Sequence, residues 1–429
     1  MRRLFVATFC LVALLTRTDP LASQSRLGTI ESIVERGTYQ LDDSSFRNTI
    51  DKVSRDGHLY SHQPPLLSTL EAPVYALLRL SGARFHNTGR FVLTYAFTLL
   101  TNGLALALTV LVFADILAMA SVSQPFRDVL ALLLPLGTWL LPYGVVTNNH
   151  GISGLLLTML IWLLLLIQWQ GTTRWRALAI GAVLGLLVAI EILPVVSFVP
   201  LTLIYLLSRR DREMRAWLLC ALGVAIPLTA HAVLNVPITG DVIPAGFHTE
   251  LFEFDGSGFD QSSLTGTLKH GSFGAAIGYA SQSLFTVKGF FVFAPLCLAG
   301  LIAGILGWRW WWARARGVYV VLIGGTAISL GVALAMTNNL GGSAVGFRHA
   351  AYLSPAFAVL VLPWLADPSP ARRRLAIVVT VAAVSAVVLL IFAVREPWFG
   401  LTLSAAPVGS WDQYVPFIAR LVHGDLVIP

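Results

Sequence analysis

Residues 91 to 117, FVLTYAFTLLTNGLALALTVLVFADIL, carry a single charged side chain, Asp115. A run that long and that apolar belongs in lipid, because a helix needs about 17 to 25 such residues to cross the hydrocarbon of a bilayer. The pattern recurs at residues 3 to 17, 128 to 147, 151 to 168, 177 to 192, 194 to 208, 216 to 235, 289 to 307, 318 to 337, 351 to 366 and 375 to 394. The sequence therefore predicts an all-α polytopic membrane protein with about 11 transmembrane helices. Composition agrees, since 56% of the 429 residues are hydrophobic and 12% charged, which excludes a water-soluble domain of this size.

Charge sets the orientation. Lys and Arg gather on the cytoplasmic side of short connections, and Arg2, Arg3, Arg127, Arg174, Arg176, Arg209, Arg210, Arg212, Arg215, Arg309, Arg314, Arg316 and Arg372 to Arg374 fall in alternate short loops. Two long polar segments, residues 18 to 90 and 236 to 288, then face outward, with the loops near 148 and 340 and the tail at 395 to 429. All nine histidines lie outside or near outer helix ends. The net charge of +7 is thus a topology signal, and a nucleic-acid partner is excluded. Cys10, Cys220 and Cys297 lie in apolar stretches without metal spacing, and read as small core residues. The first stretch reads as an uncleaved anchor, the alternative being a signal peptide cut near Leu21-Ala22-Ser23; either leaves the next loop outside. Residues 1 to 394 form one transmembrane domain.

Between the spans, WRWWWARARG at 308 to 317 reads as an interfacial belt of aromatic and basic anchors. Residues 26 to 36 read as an amphipathic helix stopped by Gly37, and residues 65 to 80 as a helix in the outer interface, with Pro64 and Pro65 at its start and Glu71 and Arg79 among its apolar groups. The first outer loop also concentrates Asp42, Asp43, Asp51 and Asp56 beside Lys52, His58, Tyr60 and His62. Such a cluster serves as a general base, as metal ligands or as a solvated face.

The chain resembles a known family at SRLGTIESIVERGTY, LDDS, TIDKV at 49 to 53, GHLYS at 57 to 61, a YSxKPPLL-like segment ahead of the interfacial helix, TNNH at 147 to 150, Glu191 to Pro194, VKGFFVFAP at 287 to 295 and NNLGGSAVGFRH at 338 to 349. These are similar to the GT-C class of membrane glycosyltransferases, near the group of dolichyl-phosphate-mannose protein mannosyltransferases and aminoarabinose transferases, and to an uncharacterised bacterial set within that class. The resemblance implies a GT-C-like fold in a bacterial inner membrane, with its active face outside. It also implies transfer of a sugar from a polyprenyl-phosphate carrier to a protein, lipid or glycan acceptor.

On that resemblance the acceptor's base is expected among Asp43, Asp51 and Asp42, with Asp19 behind them. The donor phosphate is expected at Arg348 and His349 with Lys52 and Lys288, and the sugar or acceptor near His58, Tyr60, His62, His150 and Glu191. The class carries an Asp-Glu pair where this chain has Ser23-Gln24, and a lysine before the two prolines where it has His62-Gln63. Residues 247 to 261 suit sugar stacking or are an ordinary polar loop, and Glu250, Glu253, Asp255 and Asp260 offer a divalent metal acidic groups without any defined calcium spacing. No metal or other cofactor is required by any motif. Two other classes stay open: an inactive relative acting as a scaffold, which the two departures favour, and a lipid or solute transporter, for which internal repeats and mid-span charges are missing.

Overall fold

The computed structural model describes residues 1–16, 23–87, 89–124, 126–192, 197–209, 214–258, 267–285, 288–340, 344, 346–366 and 371–395. Leu21, Asp19, Asp260 and the C-terminal tail lie outside these residues. In chain order the elements are α1 (Arg2–Leu15), α2 (Gln24–Arg36), β1 (Lys52–Arg55), β2 (His58–Ser61) and α3 (Pro65–Leu78). The long α4 (Arg90–Met119) follows. After it come α5 (Phe126–Leu136), α6 (Leu140–Gly144), α7 (Asn149–Gln170), α8 (Arg174–Glu191), α9 (Phe198–Ser208) and α10 (Met214–Thr239). The chain continues through α11 (Phe273–Phe285), α12 (Phe290–Phe293), α13 (Pro295–Leu306), α14 (Trp308–Ala335), a 3₁₀ turn (Arg348–Leu353), α15 (Ser354–Val359), α16 (Leu362–Leu365) and α17 (Ala371–Arg395).

Among the described residues five helices are long and apolar enough to cross a membrane: Arg90–Met119, Asn149–Gln170, Arg215–Thr239, Trp308–Ala335 and Arg373–Ile391. The pair Phe273–Phe293 and Pro295–Leu306, bent by 94°, makes at most a sixth. The expected eleven spans are thus not borne out among the described residues, and local chemistry explains the difference. Residues 128 to 147 break between α5 and α6, with Pro135 inside the last turn of α5 and Gly137 just beyond it. Residues 351 to 366 break into the 3₁₀ turn, α15 and α16, the last two each starting on a proline at the first turn, Pro355 and Pro363; a proline inside a longer helix would remove a hydrogen bond and clash with the preceding turn. Arg174, Arg176 and Glu191 interrupt the apolar character of α8.

The core is built around α7, whose Leu157, Leu160, Ile161, Leu164 and Leu165 are buried. By contrast α10 exposes Leu218, Leu222, Ile226 and Val233, the pattern of a helix facing lipid. Small residues bring α8 and α10 together. A Cβ on Gly181 would overlap the Cys220 carbonyl, one on Gly223 the Leu178 carbonyl, and one on Gly185 would lie 2.7 Å from the Val224 carbonyl. This is the small-residue helix packing of membrane interiors, where backbone approach replaces side-chain interdigitation.

Within α4 the ladder opens into a π-turn at Leu99–Gly103. Its buried Asn102 donates Nδ2 to the Asn148 carbonyl at 2.9 Å and accepts the Asn148 amide at 3.3 Å. The Trp-rich stretch forms the first turns of α14, bent at Ala315. Trp311 is fully buried, stacked on Tyr319 with ring centroids 5.9 Å apart. Neighbouring tryptophans carry the arginines on their faces, Arg314 lying 5.0 Å from the Trp310 ring and Arg316 5.2 Å from Trp312. Of the cysteines, Cys220 and Cys297 are buried as expected and Cys10 is exposed on α1.

The segment before α4 builds its own small cores. α2 ends as expected at Gly37, whose φ of 67° is left-handed and whose amide reaches the Ile33 carbonyl at 3.1 Å. Pro65 is the first residue of α3, and α2 and α3 share a core of Leu27, Ile30, Ala72 and Tyr75 with Phe46, Phe85, Leu93 and Phe97. Between them lies an antiparallel hairpin, Val53 facing Tyr60, turned at Asp56-Gly57. Both turn residues have positive φ, 53° and 81°, as a two-residue type I′ turn requires. Residues 236 to 288, expected as a loop, include the end of α10 and the whole of α11.

Candidate active site

The first turn of α2, the segment after β2, α3, the facing ends of α7 and α8, and the 3₁₀ turn at Arg348 bring their ionisable groups together. Arg26, on α2, is 3% exposed. Its Nη2 donates to Gln63 Oε1 at 3.5 Å, and its Nη1 has no hydrogen-bond partner among the described residues. The charges acting on it are those of Glu71, Glu191 and Asp51, and burial nevertheless lowers its pKa. Glu71, on α3, is 4% exposed, and neither of its oxygens has a partner among the described residues. A carboxylate removed from water without hydrogen bonds is costly, and burial pushes its pKa up to about 7 against the opposing pull of Arg26.

That displacement has a testable sign. In the unfolded chain Glu71 ionises near 4.5 and in the fold near about 7, so the folded state holds the extra proton between these values and loses stability as pH rises through them. Glu71→Gln is expected to unfold at higher temperature than the unsubstituted protein at pH 8. The advantage should grow by roughly 2 kcal/mol from about pH 5 to about pH 8. Thermal unfolding in detergent at the two pH values measures it, and an equal gap at both would show that Glu71 does not titrate in this window.

His62 follows β2, its Nε2 lying 3.1 Å from Gln63 Nε2. Burial lowers its pKa, Asp51 raises it by charge and through a backbone hydrogen bond, and Arg348 and Arg26 lower it. The imidazole is therefore held neutral among cations. Arg348 opens the 3₁₀ turn, and its charge also reaches His349, Tyr143, Tyr279 and Lys288. Burial first, then the charge of Arg348 and the neighbouring His150, hold His349 well below the usual histidine pKa. Lys288 is buried and donates Nζ to the Ala344 carbonyl at 2.6 Å.

The TNNH motif is legible atom by atom. Ser23 Oγ donates to the Thr147 carbonyl, and Thr147 Oγ1 lies 2.7 Å from Thr98 Oγ1. Asn148 caps α7, its Oδ1 accepting the Gly151 amide at 3.1 Å while its Nδ2 reaches the Tyr143 and Val146 carbonyls at 2.6 and 2.7 Å. Asn149 Nδ2 donates to Glu191 Oε1 at 2.8 Å, and His150 Nδ1 lies 3.2 Å from the same oxygen.

Of the residues expected from the sequence, Asp51, His62, His150, Glu191, Lys288, Arg348 and His349 therefore fall in or beside one polar cluster. The others lie elsewhere on the first segment. Asp42 braces the hairpin, accepting the Leu59 amide at 3.0 Å and pairing with His58 Nδ1 at 2.9 Å. Asp43 is exposed, and Lys52 Nζ donates to the Arg47 carbonyl at 3.1 Å. Tyr60 packs with Val53, Ile238, Leu251 and Phe252, so part of the 247 to 261 segment supports the hairpin. Glu250 pairs with His248 at 3.0 Å. The group that could hold a metal ion among the described residues is a different one, Glu31, Glu35 and His86, with ligand atoms within 4.8 Å of one another. Its carboxylates are already engaged, Glu31 by Ser44 Oγ and Ser45 Oγ at 2.6 Å each and Glu35 by Tyr75 and Arg84 at 2.5 and 3.3 Å. Sequence reasoning passed over Arg26 and Asn102; an arginine in a helix with buried neighbours was the available signal for the first, and the second had none.

Comparison of the coordinates with solved structures finds ArnT from Cupriavidus metallidurans, in a crystal structure bound to undecaprenyl phosphate, at a TM-score of 0.50 and 14% identity, covering 98% of this chain and 70% of that one. The fold is that of the GT-C glycosyltransferases. An apo oligosaccharyltransferase from Archaeoglobus fulgidus aligns at a TM-score of 0.49 and 14% identity, over 96% of this chain and 59% of that one. No protein-family model matches the sequence, and no curated protein matches it significantly. In this chain the polar cluster gathers at the end of the bundle where α7 begins and α8 ends.

Proposed function

We propose that this protein is a membrane glycosyltransferase that moves a sugar from a polyprenyl-phosphate carrier to an acceptor at the outer face of a bacterial inner membrane. The observation that carries this reading is the meeting of cations and carboxylates at one end of apolar helices: Arg26 with Glu71, Glu191 and Asp51, and Arg348 with His62 and His349. A lipid-linked phosphate needs fixed cations beside an apolar groove, and a sugar needs carboxylates and imidazoles for its hydroxyls. The undecaprenyl phosphate bound to ArnT is such a carrier. Arg348, with Lys288 and His349, is the proposed phosphate site; His62, His150 and Glu191 face sugar or acceptor; and Asp51, with its charge felt at Arg26 and His62, is the first-loop carboxylate that stands in the cluster. A carrier-binding relative without transferase activity is the second reading, favoured by Ser23, whose hydroxyl is spent on the Thr147 carbonyl.

The test uses protein in nanodiscs, a panel of polyprenyl-phosphate sugars and a membrane extract as acceptor source. Release of polyprenyl phosphate from one donor is expected. Asp51→Asn is expected to lower it, and Asp43→Asn measures whether the exposed aspartate contributes. Folded protein that binds polyprenyl phosphate and releases none from any donor would decide for the second reading.

A further inference from the structure

An acceptor hydroxyl must lose its proton as it attacks, and a base within hydrogen-bond reach typically contributes about 10²- to 10⁴-fold. Ser23 cannot serve, because its hydroxyl donates to Thr147. The same contact places the start of α2 against the residues that lead into α7, three positions before His150. His150 and Glu191 form an imidazole–carboxylate pair there, 3.2 Å apart, with side chains 9% and 8% exposed. An ionised carboxylate can only accept, so the proton of the ring sits on Nδ1 and the lone pair on Nε2. No hydrogen bond among the described residues engages that Nε2. The pair is held from three sides: Asn149 Nδ2 fixes Glu191 Oε1 at 2.8 Å, the Tyr143 ring meets the imidazole edge-on at 5.4 Å, and Asn148 caps the helix that carries both Asn149 and His150. The positive side of the cluster is close, since the charge of Arg348 acts on His349, which His150 also reaches.

We propose that His150 is the general base of the transfer and that Glu191 is its positioning residue, an assignment that rests on the glycosyltransferase reading above. Nε2 takes the acceptor's hydroxyl proton while the acceptor oxygen bonds to the anomeric carbon. The bond from that carbon to the carrier's phosphate oxygen breaks, its electron pair leaving on polyprenyl phosphate. Glu191 stabilises the imidazolium until its proton passes to solvent. Two of the other carboxylates fit less well: Glu71 is buried away from solvent on α3, and Asp43 is exposed to it.

The experiment compares unsubstituted protein, His150→Gln, His150→Gly and Glu191→Gln in nanodiscs, with the donor found active in the panel. His150→Gln is expected to lower kcat by roughly 10²-fold or more with binding of polyprenyl phosphate, which carries no sugar, unchanged, and Glu191→Gln by roughly tenfold or more. Added imidazole should restore part of the rate to His150→Gly, which a merely structural histidine would not allow. A kcat within about threefold of the unsubstituted protein in His150→Gln, or joint loss of binding and rate without rescue, overturns the assignment. An unsubstituted protein inactive with every donor instead removes the glycosyltransferase reading, and the base with it.

Discussion

Arg348→Ala is expected to lower release of polyprenyl phosphate by roughly 10²- to 10³-fold, the cost of removing one fixed donor from a developing oxyanion. The size follows from its surroundings. Its charge is felt at His62, His349 and Lys288; two of these are imidazoles held neutral by burial and neighbouring charge, and Lys288 is committed to the Ala344 carbonyl. None of these three neighbours can present a planar, two-pronged donor to the leaving phosphate in place of the guanidinium. Arg348→Lys should recover part of the rate, since a point charge replaces some of the electrostatics but not the planar fork. Turnover within about threefold of the unsubstituted protein in Arg348→Ala would place the phosphate elsewhere, Arg26 being the next cation in the cluster.

The second large effect lies far from any ionisable group. Gly181→Leu is expected to abolish folded protein, or to lower its thermal stability by more than about 4 kcal/mol equivalent, because the new side chain would occupy the space of the Cys220 carbonyl and overpacking of backbone against backbone has no rotamer to relax into. Ala at the same position should already be damaging, since the overlap begins at Cβ. The measure is monodisperse yield in detergent and the unfolding temperature of what is recovered. Normal yield and stability would mean that α8 and α10 are not so closely seated. The position also bears on chemistry: Gly181 is ten residues before Glu191 on α8, about 15 Å along a rigid rod, so a milder substitution that folds should still disturb the His150–Glu191 pair.

Apolar runs were enough to find most helices in the sequence, because hydropathy and helical period act locally. So were the stop at Gly37 and the start at Pro65, whose backbone constraints are their own. The breaks inside 128 to 147 and 351 to 366 were written in Pro135, Pro355 and Pro363, yet their apolar neighbours outweighed them in a reading by hydropathy. The hairpin at Asp56-Gly57 was not read from the sequence, because its strands are only four residues each and lack a clear alternation. The site was legible in membership more than in arrangement. His150 and Glu191 are 41 positions apart and meet only because α7 and α8 pack antiparallel, and Glu71 looked like a surface charge in an interfacial helix until α2 was laid over it. Asp42 and His58 looked catalytic for the same reason that they pair with each other, being polar neighbours across a hairpin.

The π-turn in α4 makes the chain intolerant of changes in length at that point. An α-helix advances by about 100° per residue, so deleting one residue between Leu99 and Gly103 would restore a regular ladder and swing everything before it by about that angle. Thr98, which holds Thr147, would rotate relative to Asn102, which holds Asn148. The two clamps on the approach to α7 could then no longer be closed at once, and the segment that presents Asn149 and His150 would lose its register with the rest of the bundle. A point substitution weakens one contact; a one-residue deletion here decouples two, which marks residues 99–103 as a place where this protein can drift in side chain but not in count.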